Sequence, residues 1–205
     1  MIDDRERLHR WAQGDDDAGR ALVDAHFDSV FRFFRTKLDR GAEDLTQQVF
    51  AACVAQPDRF RGDGSLRSYL LGVARNILFN HYRSQRREAH ALEISECSAF
   101  ELTPSLTSDL AVRGEVRLLH DALRRLPLDL QIVIELHYWE DATTAEIAQV
   151  VEVPQGTVKT RLLRARRALR DEIERGRAEP GLVRSTLDGL SGWVSELREH
   201  FEPRP

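Results

Sequence analysis

Two runs of basic side chains lie in a chain whose formal net charge is −4. Residues 154–170 contain six basic residues and no acidic one, and residues 75–87 contain four basic residues and no acidic one. A solvated helix face usually mixes charges, because Glu and Lys side chains three or four residues apart stabilise each other. Unmixed basic runs are typical of surfaces that bind a polyanion. The sequence therefore predicts two separate contacts with nucleic acid.

The second basic run belongs to a helix-turn-helix pattern. Thr143 and Glu146 have the spacing of a capping box at the start of a first helix. A short turn at Glu152 follows, and Pro154 suits the first turn of a second helix. The inward face of that second helix carries apolar residues at helical spacing: Val158, Leu162, Ala165 and Leu169. Such a helix can lie in the major groove of DNA. A plain helical hairpin would explain the apolar spacing but not the missing acids.

Helices account for most of the remaining pattern. Hydrophobic residues make up 41% of the chain, which permits a core, and strong helix formers dominate the composition. Apolar residues recur at helical spacing over 5–87 and again over 115–175, whereas 88–114 is polar, acidic and weakly periodic. The sequence predicts an all-α protein of two small helical domains, 5–87 and 115–175, joined by a flexible linker at 88–114.

Several functional classes lack their motifs in this sequence. There is no H-E-x-x-H, no Gly-rich phosphate loop and no G-x-S-x-G. The seven histidines are scattered, and Cys53 and Cys97 have no partner at metal-ligand spacing. The first residues form no apolar signal segment, and no run reaches transmembrane length. We expect a cytoplasmic protein that is not an enzyme, has no metal or cofactor, and does not insert into membranes.

Two segments resemble bacterial RNA polymerase sigma factors of the extracytoplasmic-function type. EIAQVVEVPQGTVKTRLLRARRAL, residues 146–169, resembles region 4 of that family, which grips the minus-thirty-five promoter element. The stretch from AEDLTQQVF to YRSQRR, residues 42–87, resembles region 2, which binds the clamp helices of the polymerase and melts the minus-ten element. The resemblance implies a sigma factor that binds core RNA polymerase and directs promoter recognition, DNA melting and transcription initiation. It also makes an anti-sigma factor a candidate partner.

The resemblance implies three groups of site residues. The loop 60–65 would hold a flipped base of the melted strand, Arg75 and later arginines would hold phosphates, and core packing is an equal alternative for Phe60. Lys159 and Thr160 would read base edges in the duplex. The implied melted-strand contacts are Phe60, Arg61, Asp63, Asn76, Asn80, Arg83, Arg86 and Arg87. The implied duplex contacts are Gln155, Thr157, Lys159, Thr160, Arg161 and Arg164. The implied polymerase contacts are Asp44, Gln47 and Gln48.

Some positions depart from the family pattern. Gln48 stands where glutamate is usual, and Tyr69 where tryptophan is usual. Asp141 and Glu152 replace frequent glycines, so we expect a strained turn at Glu152, because glycine tolerates positive φ and glutamate does not. Two other functions stay open. One is a helix-turn-helix regulator that binds duplex DNA without polymerase, which leaves residues 44–87 unexplained; the other is a sigma-like interaction protein.

The last segment, 176–205, extends beyond the resemblance. It carries an apolar stripe at heptad-like spacing: Val183, Leu187, Leu190, Val194, Leu197 and Phe201. This spacing predicts an amphipathic helix, which needs a partner surface because isolated short helices are marginal. We expect it to dock on the chain's own domains. A second hypothesis is that it holds the two DNA-binding domains together and masks one of them.

Overall fold

The computed structural model describes residues 3–85, 91–102 and 114–175, and the regular secondary structure in these ranges is helical. The all-α prediction is confirmed. The expectations for Arg86, Arg87 and the segment 176–205 fall outside the described residues. The helices are α1 (Asp4–Ala12), α2 (Asp16–Arg35), α3 (Ala42–Ala55), α4 (Leu66–Gln85), α5 (Ala91–Glu96), α6 (Ala99–Leu102), α7 (Gly114–Arg124), α8 (Leu128–Tyr138), α9 (Thr144–Val151) and α10 (Gln155–Arg175). A 3-10 turn spans Pro57–Arg59.

The first half of the molecule, α1 to α4, packs around an apolar core. Phe34 and Val49 are fully buried on α2 and α3, and Leu78 is fully buried on α4. Helix α3 ends at Ala55, just before Pro57, because proline lacks a backbone N–H and disfavours helical geometry in the residue before it. This packing fixes α4 and the loop that precedes it.

The second half, α7 to α10, contains the helix-turn-helix. The capping box is confirmed: the Thr143 hydroxyl accepts a hydrogen bond from the Glu146 amide at 3.3 Å, and the Glu146 carboxylate accepts one from the Thr143 amide at 2.8 Å. The hydrogen bonds that the Glu146 carboxylate accepts from the Thr143 amide and the Thr143 hydroxyl hold the pKa of the Glu146 carboxyl below its ordinary value. Pro154 lies just before α10 rather than in its first turn, and its carbonyl accepts from the Thr157 amide at 2.8 Å.

Replacing Thr143 by alanine is expected to lower the free energy of unfolding by about 1 kcal/mol, because the hydroxyl satisfies an amide at the start of α9. Urea denaturation of the variant and the wild-type protein, followed by circular dichroism, measures the difference. The control is Ser84→Ala, which removes an exposed hydroxyl near the end of α4. Equal losses in the two variants would contradict a specific capping role.

Two residues in the second half have left-handed backbones. Asp141 has φ 49° and Glu152 has φ 55°, so both keep the conformation that glycine adopts freely. A left-handed conformation costs a residue with a side chain roughly 1–2 kcal/mol. The expected strain at Glu152 is therefore present, while the shape of the turn is kept.

Part of the interval 88–114, predicted to be a linker, is helical. Helices α5 and α6 lie in it, and Ile94 is fully buried against the core. The amide of Leu128 donates to the carbonyl of Cys97 at 2.9 Å, which ties this interval to the start of α8. The connection between the halves is thus anchored at α5, α6 and α8.

The two halves pack directly against each other. One apolar core runs through both: it includes Phe34 and Leu71 of the first half and Val133 and Ile147 of the second. Helix α9 lies against α4. We call this packing of residues 3–85 against 114–175 the closed arrangement.

Three buried ion pairs cross the contact between the halves, and we call them the interdomain latch. Arg32 donates to Glu140 at 3.0 Å, Arg124 donates to Asp39 at 2.6 Å, and the Lys37 ammonium donates to Glu135. All six side chains are less than one-tenth exposed. Each half contributes cations and anions, so the buried charges balance.

Candidate nucleic-acid interface

The loop from Phe60 to Ser65 and the first half of α4 enclose a cavity of about 530 Å³. Its polar lining in the first half consists of Arg59, Arg61, Asp63, Ser65, Ser68 and Asn76, and its apolar lining includes Phe60, Tyr69 and Val73. The sequence predicted that loop 60–65 and Asn76 serve one site, and the structure places them around one cavity. Asn76, Arg61 and Asp63 are exposed, so the cavity opens to solvent.

Individual groups give the cavity a polar rim and an apolar wall. Phe60 is only 6% exposed, and its ring centroid lies 5.4 Å from that of Tyr69, so its ring packs in the core while it lines the cavity. The Ser65 hydroxyl accepts from the Ser68 amide at 3.1 Å and starts α4. Asn76 presents a carboxamide that can both donate and accept at a base edge. A flat apolar wall and an amide are what an unstacked base requires.

Cationic groups continue along α4. The Arg75 guanidinium lies 4.8 Å from the ring centroid of Phe79 and is half-buried. Asn80 is exposed but does not line the cavity, and its side-chain oxygen accepts from Arg83. The structure thus brings Asn76 to the cavity and pairs Asn80 with Arg83 one turn further along.

The candidate polymerase contacts share one exposed face of α3. Asp44, Gln47 and Gln48 are exposed, at the three- and four-residue spacing that puts side chains on one side of a helix. Leu45 and Phe50, on the opposite side of the helix, are buried in the core, each 6% exposed. The face of α3 that carries Asp44, Gln47 and Gln48 remains exposed to solvent when the two halves pack together in the closed arrangement.

The second basic run lies on α10, and most of its candidate contacts face solvent. Exposed side chains are Gln155, Thr157, Lys159, Thr160 and Arg164. The Gln155 amide donates to the Thr144 hydroxyl at 2.7 Å, which joins the two helices of the motif. Arg161 differs, because it is partly buried and pairs with Asp129 at 3.3 Å. Burial raises the pKa of the Asp129 carboxyl, and the Arg161 charge opposes that rise.

Within 3–85, 91–102 and 114–175, no group of three or more His, Cys, Asp or Glu side chains is placed to hold a metal ion. Burial raises the pKa of the Cys53 thiol to about 12, which disfavours the reactive thiolate. None of the helices in these ranges is both long and apolar enough to cross a membrane.

Sequence reasoning missed two residues at the cavity. Gln149 and Glu152 belong to the helix-turn-helix, yet both line the cavity of the first half. Gln149 is separated from Asp63 by 86 positions, and no local pattern signals their meeting. The only available hint was Glu152, which stands where the motif usually has glycine.

Comparison with family models matches both halves of the chain. Residues 22–88 match sigma-70 region 2, and residues 117–169 match sigma-70 region 4. Together the two matches cover more than half of the chain, in the order that the sequence predicted. The boundary between them falls in the interval that contains α5 and α6.

Named proteins are also similar to this chain over most of their length. The ECF RNA polymerase sigma factor SigW of Bacillus subtilis is 24% identical over 179 residues, which cover 82% of this chain and 96% of SigW. The ECF RNA polymerase sigma-E factor of Escherichia coli K12 is 26% identical, over 85% of this chain and 96% of its own length. Among solved structures, the sigma factor RpoE in complex with the anti-sigma factor NepR from Bartonella quintana has a TM-score of 0.60 at 19% identity, covering 77% of this chain and 98% of RpoE. That likeness concerns the fold.

Proposed function

Because this chain belongs to the sigma-70 family, in its extracytoplasmic-function group, we propose that it binds core RNA polymerase and directs it to promoters. One observation carries the proposal beyond the family match. A cavity suited to a base and an exposed basic recognition helix occur in one chain, in separate halves. A regulator that binds only duplex DNA would need the helix but not the cavity. The protein acts by binding, in the cytoplasm where polymerase and promoter meet.

The cavity of the first half is proposed to hold a flipped base of the melted minus-ten element. The Asn76 carboxamide would bond the base edge, and Phe60 and Tyr69 would supply the apolar wall. Arg61 lies at the rim, where a cation can hold the backbone of the single strand. Asn80 and Arg83 extend this path along α4.

Helix α10 is proposed to enter the major groove of the minus-thirty-five element. Lys159 and Thr160 lie near its N-terminus, where recognition helices reach base edges. Thr157 and Arg164 are exposed on the same helix and are assigned to the flanking sugar-phosphate backbone. Arg161 is assigned mainly to holding α10 on α8 through Asp129.

The exposed face of α3 is proposed as the polymerase contact. Asp44, Gln47 and Gln48 can hydrogen-bond a polar partner surface, and Gln48 does so without a charge. RpoE was crystallised with the anti-sigma factor NepR. A protein inhibitor of that class is a candidate partner here as well.

Mapping of transcript 5′ ends tests the proposed function. The purified chain is mixed with bacterial core RNA polymerase and fragmented genomic DNA. Discrete starts that share two upstream elements at a fixed spacing are expected. If no starts depend on the chain, while α10 still binds duplex DNA, the protein is instead a regulator that acts without polymerase.

Replacing Asn76 by alanine is expected to reduce promoter melting by about tenfold, the scale of one or two hydrogen bonds lost at a base edge. Permanganate reactivity of unpaired thymines in the polymerase complex measures melting at a mapped promoter. Binding of the duplex minus-thirty-five element should not change. The control is Gln85→Ala, which removes an exposed amide at the end of α4. Equal melting by the Asn76 variant and wild type would contradict the assignment.

A further inference from the structure

The second half of the molecule reaches into the candidate base cavity of the first. The side-chain amide of Gln149 donates to the carbonyl of Asp63 at 3.4 Å. A Cβ atom added to Gly64 would lie 2.6 Å from the Gln149 side-chain oxygen, so the missing side chain at position 64 permits this approach. Beside this contact, Gly72 lies next to the backbone of Val150. Helix α9 therefore meets the cavity wall where that wall carries glycines.

A carboxylate accompanies the amide. Glu152 lines the same cavity, and its carboxylate lies 3.9 Å from the guanidinium of Arg75. Glu152 adopts a left-handed backbone that glycine would adopt without strain. The strained residue is thus the one that places a negative charge beside Arg75, an arginine that the family resemblance assigns to the phosphates of melted DNA.

We propose that Gln149 and Glu152 form an intramolecular plug that imitates melted DNA. The Gln149 amide takes the place of a base edge, since it can both donate and accept, and the Glu152 carboxylate takes the place of a phosphate beside Arg75. This inference rests on the proposed role of the cavity in holding melted promoter DNA. It adds that, in the free protein, the helix-turn-helix occupies the side of that cavity formed by Asp63 and Gly64.

The plug covers one binding surface and leaves two exposed. Asp44, Gln47 and Gln48 on α3 and the recognition face of α10 remain accessible in the closed arrangement. The minus-ten and minus-thirty-five elements lie roughly 85 Å apart on a straight duplex at about 3.4 Å per base pair. Helices α4 and α9 belong to the halves that would bind these two elements, and packed helices lie only about 8–10 Å apart. The contact between α9 and α4 must therefore break when both elements of one promoter are bound. Polymerase and duplex DNA can therefore bind first, and their binding separates the halves and frees the cavity.

Binding of single-stranded DNA to the free protein tests the plug. The probes are four fluorescent homo-oligomers of about 12 nucleotides, one for each base, measured by anisotropy. The full chain carrying Gln149→Ala and Glu152→Gln is expected to bind at least one of them about tenfold more tightly than wild type. The gain follows because a ligand's apparent affinity falls with the fraction of protein whose site is open.

Two controls make the outcome specific. Glu174→Gln removes one exposed carboxylate from the same half, at the far end of α10, and should leave the affinity unchanged. An equal gain in affinity for this control would overturn the plug, because it would show that removing any negative charge strengthens binding to DNA. The plug is also overturned if the double variant binds all four probes as wild type does, or if neither protein binds any of them. This binding assay contains no polymerase and is therefore independent of the transcription assay. A wild-type protein that fails to start transcription would contradict the proposed function but would leave the binding comparison unchanged.

Discussion

Replacing Glu135 by alanine is expected to cost the closed arrangement about 3–5 kcal/mol, because it leaves the charge of Lys37 buried without its partner. Lys37 has no exposed surface, and its ammonium donates to the Phe33 carbonyl at 2.8 Å and the Thr36 hydroxyl at 3.0 Å as well as to Glu135. Only Glu135 balances the charge among these three contacts. The latch is therefore sensitive to this one carboxylate.

The loss should depend on pH in a defined direction. Burial lowers the pKa of Lys37, and the Glu135 charge opposes that shift, so removal of Glu135 lowers the pKa further. A group whose folded pKa is depressed stabilises the fold more as pH rises through that pKa. The deficit of the variant is thus largest where Glu135 of the wild type and Lys37 are both charged, and it shrinks as rising pH removes the Lys37 proton below the ordinary lysine pKa.

Two measurements follow this variant. Chemical denaturation reports unfolding, and small-angle X-ray scattering reports separation of the halves. Because Lys37 can regain water by separation alone, we expect a larger radius of gyration with the helical circular dichroism retained. Glu135→Gln is the matched control: its amide can still accept from Lys37, so its loss should be smaller. A Glu135→Ala protein with wild-type stability and dimensions would contradict the latch.

Reversing the charge of Lys159 is expected to weaken binding of the minus-thirty-five duplex by about 100-fold, the upper range for one base contact. Lys159 is exposed near the start of α10, in the part of a recognition helix that faces base edges. Glutamate at this position would lose the contact and also repel phosphates. Anisotropy with a labelled duplex from a mapped promoter measures the change.

The control reverses a charge on the same helix. Arg175 is the last residue of α10 and pairs with Glu172 at 2.5 Å. It lies about 24 Å from Lys159 at 1.5 Å per residue, well beyond a Debye length of about 8 Å at physiological salt. Arg175→Glu should therefore change affinity little. Similar losses in both variants would mean that α10 binds through overall charge and that Lys159 reads no base.

The features that the sequence predicted correctly depend on neighbours along the chain. The capping box joins residues three apart. The inward face of α10 follows from the helical period alone. The grouping of the loop 60–65 with Asn76 around one cavity could also be predicted, since these residues lie on one loop and the helix that follows it.

The boundaries between elements were predicted less well. Pro154 lies before α10 rather than within its first turn, because its carbonyl already accepts the first amides of the helix. The interval 88–114 reads as polar and weakly periodic, yet Ile94 is buried there by contact with elements distant in sequence. The apolar residues of this interval, among them Ile94 and Leu102, lack the regular spacing that predicts a helix.

The sequence by itself determined the family, the all-α class, the two basic runs and the helix faces, because these follow from short-range periodicity and recognisable motifs. Only the tertiary structure decided that Lys37 meets Glu135, that Arg161 is tied to Asp129, and that Gln149 lines the cavity of the first half. A buried lysine looks in sequence like any solvated lysine. Its burial and its partner, 98 positions away, come from packing between the halves, which no local pattern encodes.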